Sequence, residues 1–112
     1  YGLPLDADNV VDVRFLPNPY WVSELRHLTG KDSPVANFVL NKAGGQGFVE
    51  RYTALLTDIL QGYTRELKPF VTIGIGCTGG KHRSVAIAEA ISERLRAGGR
   101  AVRTIHRDLG RE

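Results

Sequence analysis

The chain has no methionine, a single cysteine and a single tryptophan among its 112 residues. Without Met there is no initiator residue, and strand-like sequence begins within about ten residues of Tyr1, which leaves little room for a leader. The chain therefore reads as one domain, residues 1–112, of a longer protein. A lone Cys77 excludes an internal disulfide and suits a reducing compartment, so a cytoplasmic location is expected. No apolar run reaches the length of a bilayer span. The opening Tyr1-Gly2-Leu3-Pro4 lacks the basic and apolar segments of a signal peptide. No membrane partner is expected. His27, His82, His106 and Cys77 show no metal-ligand spacing, so no metal is expected either. Repeats and low-complexity segments are also missing.

What is present is an ordinary globular composition, 42% apolar and 24% charged, with a net charge of +3. The basic residues are unevenly placed. Arg94, Arg96, Arg100, Arg103, Arg107 and Arg111 crowd the last part of the chain, where only Asp108 and Glu112 oppose them. Such clustering either neutralises phosphates or forms a solvated helix face and tail.

Asn9-Val10-Val11-Asp12-Val13-Arg14-Phe15 alternates as a strand, with Val11, Val13 and Phe15 on one face. Pro17 and Pro19 stop it. A helical turn over 23–28 ends at Gly30. Ser33-Pro34 reads as a cap followed by proline at the first helical position, opening a short helix to about Leu40. Residues 43–47 read as a flexible connection. Phe48, Tyr52, Leu55, Leu56, Ile59, Tyr63 and Leu67 form the apolar stripe of a longer helix that Pro69 ends. Residues 70–76 are a β-rich run fit for a central strand. A helix follows over 84–97, with Ile87, Ala88, Ile91 and Leu95 inward and Gly98-Gly99 as its stop. Residues 101–106 read as a last strand. The order predicts an α/β fold: a mainly parallel sheet flanked by helices, with a phosphate-type loop between a central strand and a helix. Ligands in such folds sit beyond the carboxyl ends of strands. The segments 12–20, 77–84 and 106–107 should converge there.

Cys77-Thr78-Gly79-Gly80-Lys81-His82-Arg83-Ser84 is the loop that carries chemistry. A strand leading through two glycines into a helix leaves backbone N–H groups without partners and lets them approach a ligand. Lys81 and Arg83 add positive charge, and the helix dipole presents its positive end. Together they suit a phosphate or another small anion. The plain alternative is a tight turn whose basic residues face water. Gly74-Ile75-Gly76-Cys77-Thr78-Gly79 satisfies G-x-G-x-x-G, but no preceding half-domain supports a dinucleotide fold. Walker A fails, with Ile75 where its first glycine belongs and His82 where Ser or Thr belongs. Cys77, five residues, Arg83 and Ser84 match the spacing of cysteine phosphatases, in which Cys77 and Arg83 would be catalytic. The His usual before that Cys is Gly76 here, and no general-acid Asp is identified. The plain alternative for Cys77 is a small apolar residue ending a strand, and phosphatase chemistry is the minor reading. His82 either donates to phosphate or orients Arg83. His27 reads as a surface residue, and Tyr20 and Trp21 read as core packing ahead of base stacking.

Longer matches come from Asp12-Val13-Arg14-Phe15-Leu16-Pro17-Asn18-Pro19, Leu25-Arg26, Thr29-Gly30, Pro34-Val35 and Gly76-Cys77-Thr78-Gly79-Gly80-Lys81-His82-Arg83-Ser84-Val85. In these the chain resembles the C-terminal domain of the RapZ family. The resemblance implies a non-catalytic bacterial regulator of amino-sugar and cell-envelope precursor metabolism. In enterobacterial members this domain binds small RNA and senses glucosamine-6-phosphate, and members form homo-oligomers. A separate N-terminal P-loop domain carries ATP or GTP, so no cofactor is expected in this segment. Carried over by position, Thr78, Gly79 and Arg83 would hold the sugar phosphate with Asp12 contributing, and Asn18, Tyr20, Cys77, Gly80, Lys81, His82 and Ser84 complete the expected ligand site. Lys81, Arg100, Arg103, His106 and Arg107 form the RNA surface. Enterobacterial members have His where this chain has Tyr20. Tyrosine keeps a hydrogen-bonding tip and gains a stacking face, but it does not become cationic near neutral pH.

Overall fold

The computed structural model describes residues 7–42, 44–76 and 81–106. Two strands, β1 (Asn9–Asp12) and β2 (Ile73–Gly76), pair in parallel with Asn9 opposite Ile73 and Asp12 opposite Gly76. The Val13 amide extends the ladder by donating to the Gly76 carbonyl at 2.8 Å. At the other end Asp8 locks the register. Its amide donates to Thr72 O and its carboxylate accepts the Thr72 amide, both at 2.8 Å, while Lys68 Nζ lies 3.2 Å from the same carboxylate. Parallel strands need a long crossover. Here it contains α1 (Ser33–Asn37), which continues as a π-helical stretch, Phe38–Lys42, and then α2 (Gly45–Arg65). After β2 the chain enters α3 (Arg83–Ala97).

The α/β class and parallel pairing agree with expectation. The phosphate-type loop itself, Cys77, Thr78, Gly79 and Gly80, lies outside the described residues. α3 is the central element. Its Val85, Ala86, Ile87, Ile91, Ser92 and Leu95 are all buried, more than one stripe can supply, because β2, α2 and the π-helical stretch pack on different sides of it. Val13, Val35, Val39, Val49, Leu56 and Ile87 have no exposed surface and form the centre of the core.

Several sequence expectations need correction. β1 stops at Asp12, and the chain turns at once, the Leu16 amide donating to Val13 O. Phe15 is thereby rotated off the Val11–Val13 face and is 63% exposed. Ser33 is the first residue of α1, not its cap. Asp32 holds the cap position, and its carboxylate bonds the Thr29 amide instead of the helix. Gly45, Gln46 and Gly47 belong to α2 rather than to a connection. The α2 stripe is shifted. Val49 and Leu56 are its buried residues, whereas Leu55 is exposed. Leu67 lies beyond the helix end, with φ of 60°, and is exposed. Phe70 precedes β2 and is exposed. Residues 101–106 are not a strand. They run back along α3, held by side chains: Ser92 Oγ and Thr104 Oγ1 are 2.6 Å apart, and Arg96 donates to Val102 O and Thr104 Oγ1. The Gly98-Gly99 stop stands, with both amides donating to the last turn of α3 and Gly99 at φ of 91°.

Candidate functional site

Two described segments meet at the carboxyl edge of the sheet: the exit from β1 and the start of α3. Arg83, the first residue of α3, ties them together. It is 5% exposed, and its Nη1 donates to Arg14 O and Leu16 O, each at 2.9 Å. A buried guanidinium needs local acceptors for its donors. The carbonyls of the β1 exit serve Nη1, and the loop is held in place by the same bonds.

Asp12 ends β1 with its carboxylate already engaged. It accepts the Arg14 amide at 2.9 Å and Arg14 Nε at 2.7 Å, and Arg14 Nη2 is 2.6 Å away. The Arg14 side-chain bond, with smaller help from the Arg14 amide, holds the carboxyl below its ordinary range. Asn18 acts locally: its Oδ1 accepts the Tyr20 amide at 3.1 Å and caps a single 3-10 turn, Pro19–Trp21. The expectation that Tyr20 and Trp21 are core residues is overturned. Pro19 fills the core position, and the two rings that follow it point outward, Trp21 being 76% exposed.

The segment 25–30 clamps the start of α3 from the other side. Lys81 Nζ donates to Arg26 O at 3.2 Å, and the Gly30 amide donates to Lys81 O at 2.9 Å. His82 precedes α3 and is 6% exposed, near the carbonyls of Arg26, Leu25 and Leu28. Its Nε2 has no hydrogen-bond partner among the described residues. Burial, helped by the Lys81 charge, pushes the imidazole pKa below 6.5, and those carbonyls oppose the shift. The unfolded chain therefore binds the extra proton first as pH falls. The stability that neutral His82 contributes is complete above about pH 6.5 and declines as pH drops below it. Urea midpoints compared between pH 7.5 and 5 should fall more for the wild-type chain than for His82→Asn. Equal falls would show that His82 is not the group responsible.

Arg83 is thus tied to the β1 exit that follows Asp12, and Lys81 is linked through Arg26 to Tyr20, while Ser84 is buried in the first turn of α3. The residues expected to contact RNA, apart from Lys81, all follow the end of α3. Arg103 is exposed and Arg100 half-buried. His106 Nε2 lies 3.1 Å from Glu89 Oε2, part-way along α3. Arg107 lies outside the described residues. Sequence reasoning missed Arg26, whose Nε donates to Tyr20 O at 3.0 Å and whose guanidinium lies 4.9 Å from the Tyr20 ring centre. Nothing in the periodicity marks it, because residues 20 and 26 meet only through an irregular turn.

The chain matches the RapZ C-terminal domain family over residues 1–110. It is 60% identical over 112 residues to a nucleotide-binding protein of Frankia casuarinae, covering all of this chain and 39% of that protein. It is 58% identical over 113 residues to a nucleotide-binding protein of Mycobacterium ulcerans, covering 37% of it. A nucleotide-binding protein of Mycolicibacterium smegmatis is also 58% identical, with 39% covered. The chain spans less than two-fifths of the length of these curated relatives.

Proposed function

The chain belongs to the RapZ C-terminal domain family, and from that premise we propose that it is a non-catalytic, cytoplasmic sensor domain that binds a phosphorylated amino sugar, or a closely related anion, and RNA. In this reading it regulates amino-sugar and cell-envelope precursor metabolism. One observation carries it. Arg26, Lys81 and Arg83 each donate to backbone carbonyls rather than to carboxylates. Among the described residues, these bonds fix their positions without an ion pair. Asp12, the carboxylate at this edge, is engaged by Arg14. The dipole of the fifteen-residue α3 adds positive potential at the same place. Arg83 is only the smallest of the influences on the Asp12 carboxyl. Fixed positive charge at a helix start, with no ion pair to these three cations among the described residues, suits a phosphoryl group.

The sugar phosphate is assigned to Arg83, Lys81 and the loop of Cys77, Thr78, Gly79 and Gly80. Asp12 faces hydroxyl or ammonium groups, a role its lowered pKa supports by keeping it anionic. Nucleotide binding, the activity in the relatives' name, is assigned to the part of those proteins outside the matched segment, because this chain lacks a Walker A sequence; ATP or GTP is the nucleotide expected there. Homo-oligomer formation is part of the same proposal. Calorimetry tests the ligand class. Glucosamine-6-phosphate should bind, whereas glucosamine without the phosphate should bind at least about tenfold more weakly, the loss expected from one charge-assisted contact. Equal affinity for the two sugars would refute a phosphate-centred site.

A further inference from the structure

The loop leaving β1 holds two exposed rings in a rigid frame. Trp21 is 76% exposed and Tyr20 45% exposed, and their centres lie 5.3 Å apart with the planes 86° to each other. Their backbone is fixed from several directions. Asn18 Oδ1 accepts the Tyr20 amide, Asn18 O the Trp21 amide, and Pro19 O the Val22 amide. Arg26 Nε donates to Tyr20 O, and Pro19 is buried beneath the turn. Exposure alone is not distinctive, since Phe70 and Leu67 are more exposed; what sets this pair apart is two adjacent rings on a backbone fixed beside a cation. Pre-ordering lowers the entropy lost when a partner binds. The surroundings define its charge. Arg26 lies over the Tyr20 ring, and Lys81 Nζ donates to Arg26 O, so one cation covers a ring and a second is bonded to the residue that carries it.

We propose that Trp21, buttressed by Tyr20 and Arg26, is a stacking ledge for an unpaired base of a nucleic-acid strand whose phosphates lie along Arg26 and Lys81. The ledge rests on the RNA reading above and adds to it that the recognised segment is single-stranded. Rings of unpaired nucleotides stack on exposed aromatic side chains, whereas bases inside a duplex have no free face. With the two planes almost perpendicular, one base lies flat on only one ring. Trp21 offers the more open face, since Arg26 already covers Tyr20.

Trp21 is the only tryptophan of the chain, so its emission reports the ledge directly. The 112-residue chain is titrated with an unstructured RNA 12-mer and with the duplex of the same sequence. The single strand should quench Trp21 and the duplex should not. Trp21→Ala should weaken single-strand binding about 5- to 100-fold, and Trp21→Phe should restore most of it. Circular dichroism should be unchanged in both, since the side chain lies outside the core. Equal binding of strand and duplex, with Trp21→Ala without effect, overturns the ledge and leaves the RNA reading standing. No binding of either RNA overturns both. A Trp21 emission that shifts with protein concentration in the absence of RNA also overturns the ledge, by showing that a second copy covers the ring.

Discussion

Replacing Arg83 with alanine is expected to remove sugar-phosphate binding and to lower stability by about 3 kcal/mol. The two effects have one origin. Arg83 Nη1 serves the carbonyls of Arg14 and Leu16, and the guanidinium is buried. Hydrogen bonds to a charged donor contribute roughly 1.5–3 kcal/mol each, and a buried acceptor left without a donor adds its own desolvation cost. The β1 exit would lose its anchor, and with it the placement of Asp12 and of the turn that follows. Arg83→Lys separates charge from geometry. A single ammonium keeps the positive charge but cannot reproduce the planar fork. It should retain weak binding while still losing stability. Urea denaturation and calorimetry on both variants measure the two effects. Unchanged binding in Arg83→Ala would remove Arg83 from the site.

Gly30→Ala is expected to be as damaging, although Gly30 touches no ligand. A Cβ at this position would collide with the Ala86 amide nitrogen and the His82 carbonyl oxygen, and would lie 2.8 Å from the Val85 Cβ. The first two atoms are backbone of α3 and its entry, so no side chain can rotate to make room. The Gly30 amide also donates to Lys81 O, which fixes the approach. Overpacking of this kind costs about 3 kcal/mol or more. Because the atoms displaced are those that begin α3, anion affinity should fall together with the thermal midpoint. Gly44→Ala is the contrast. Space around Gly44 is open, and its φ of 79° is the whole obstacle. Its cost should be near 1 kcal/mol, with affinity untouched. A Gly30→Ala chain as stable as wild type would mean that segment 25–30 does not clamp α3.

The contribution of sequence alone can be judged residue by residue. Periodicity located β1, α2 and α3, and an apolar β-rich run located β2. Its errors fall where tertiary packing decides. Ser33 has a capping side chain, but the preceding Asp32 takes the cap position. Residues 101–106 alternate like a strand, half-buried and exposed in turn. They alternate because every second side chain packs on α3, and no neighbouring strand among the described residues pairs with them. Trp21 was misread because aromaticity predicts burial on average, while Pro19 had already filled the core position beside it. In the site, residue types and the strand-to-helix setting of Arg83 were legible. Its carbonyl partners were not, since they lie 67 and 69 positions away. Arg26 was hidden because it meets Tyr20, six positions earlier, only through an irregular turn. Cys77, Thr78, Gly79 and Gly80 remain a reading from sequence, flanked by described residues on both sides.

The most direct test is a crystal structure of the chain grown with glucosamine-6-phosphate. The phosphate is predicted at the start of α3, in the loop of residues 77–84, with the Arg83 guanidinium within hydrogen-bonding distance and the sugar ring toward Asp12. A ligand bound away from this edge, or a phosphate there with no contact to Arg83 or the 77–84 loop, would contradict the account.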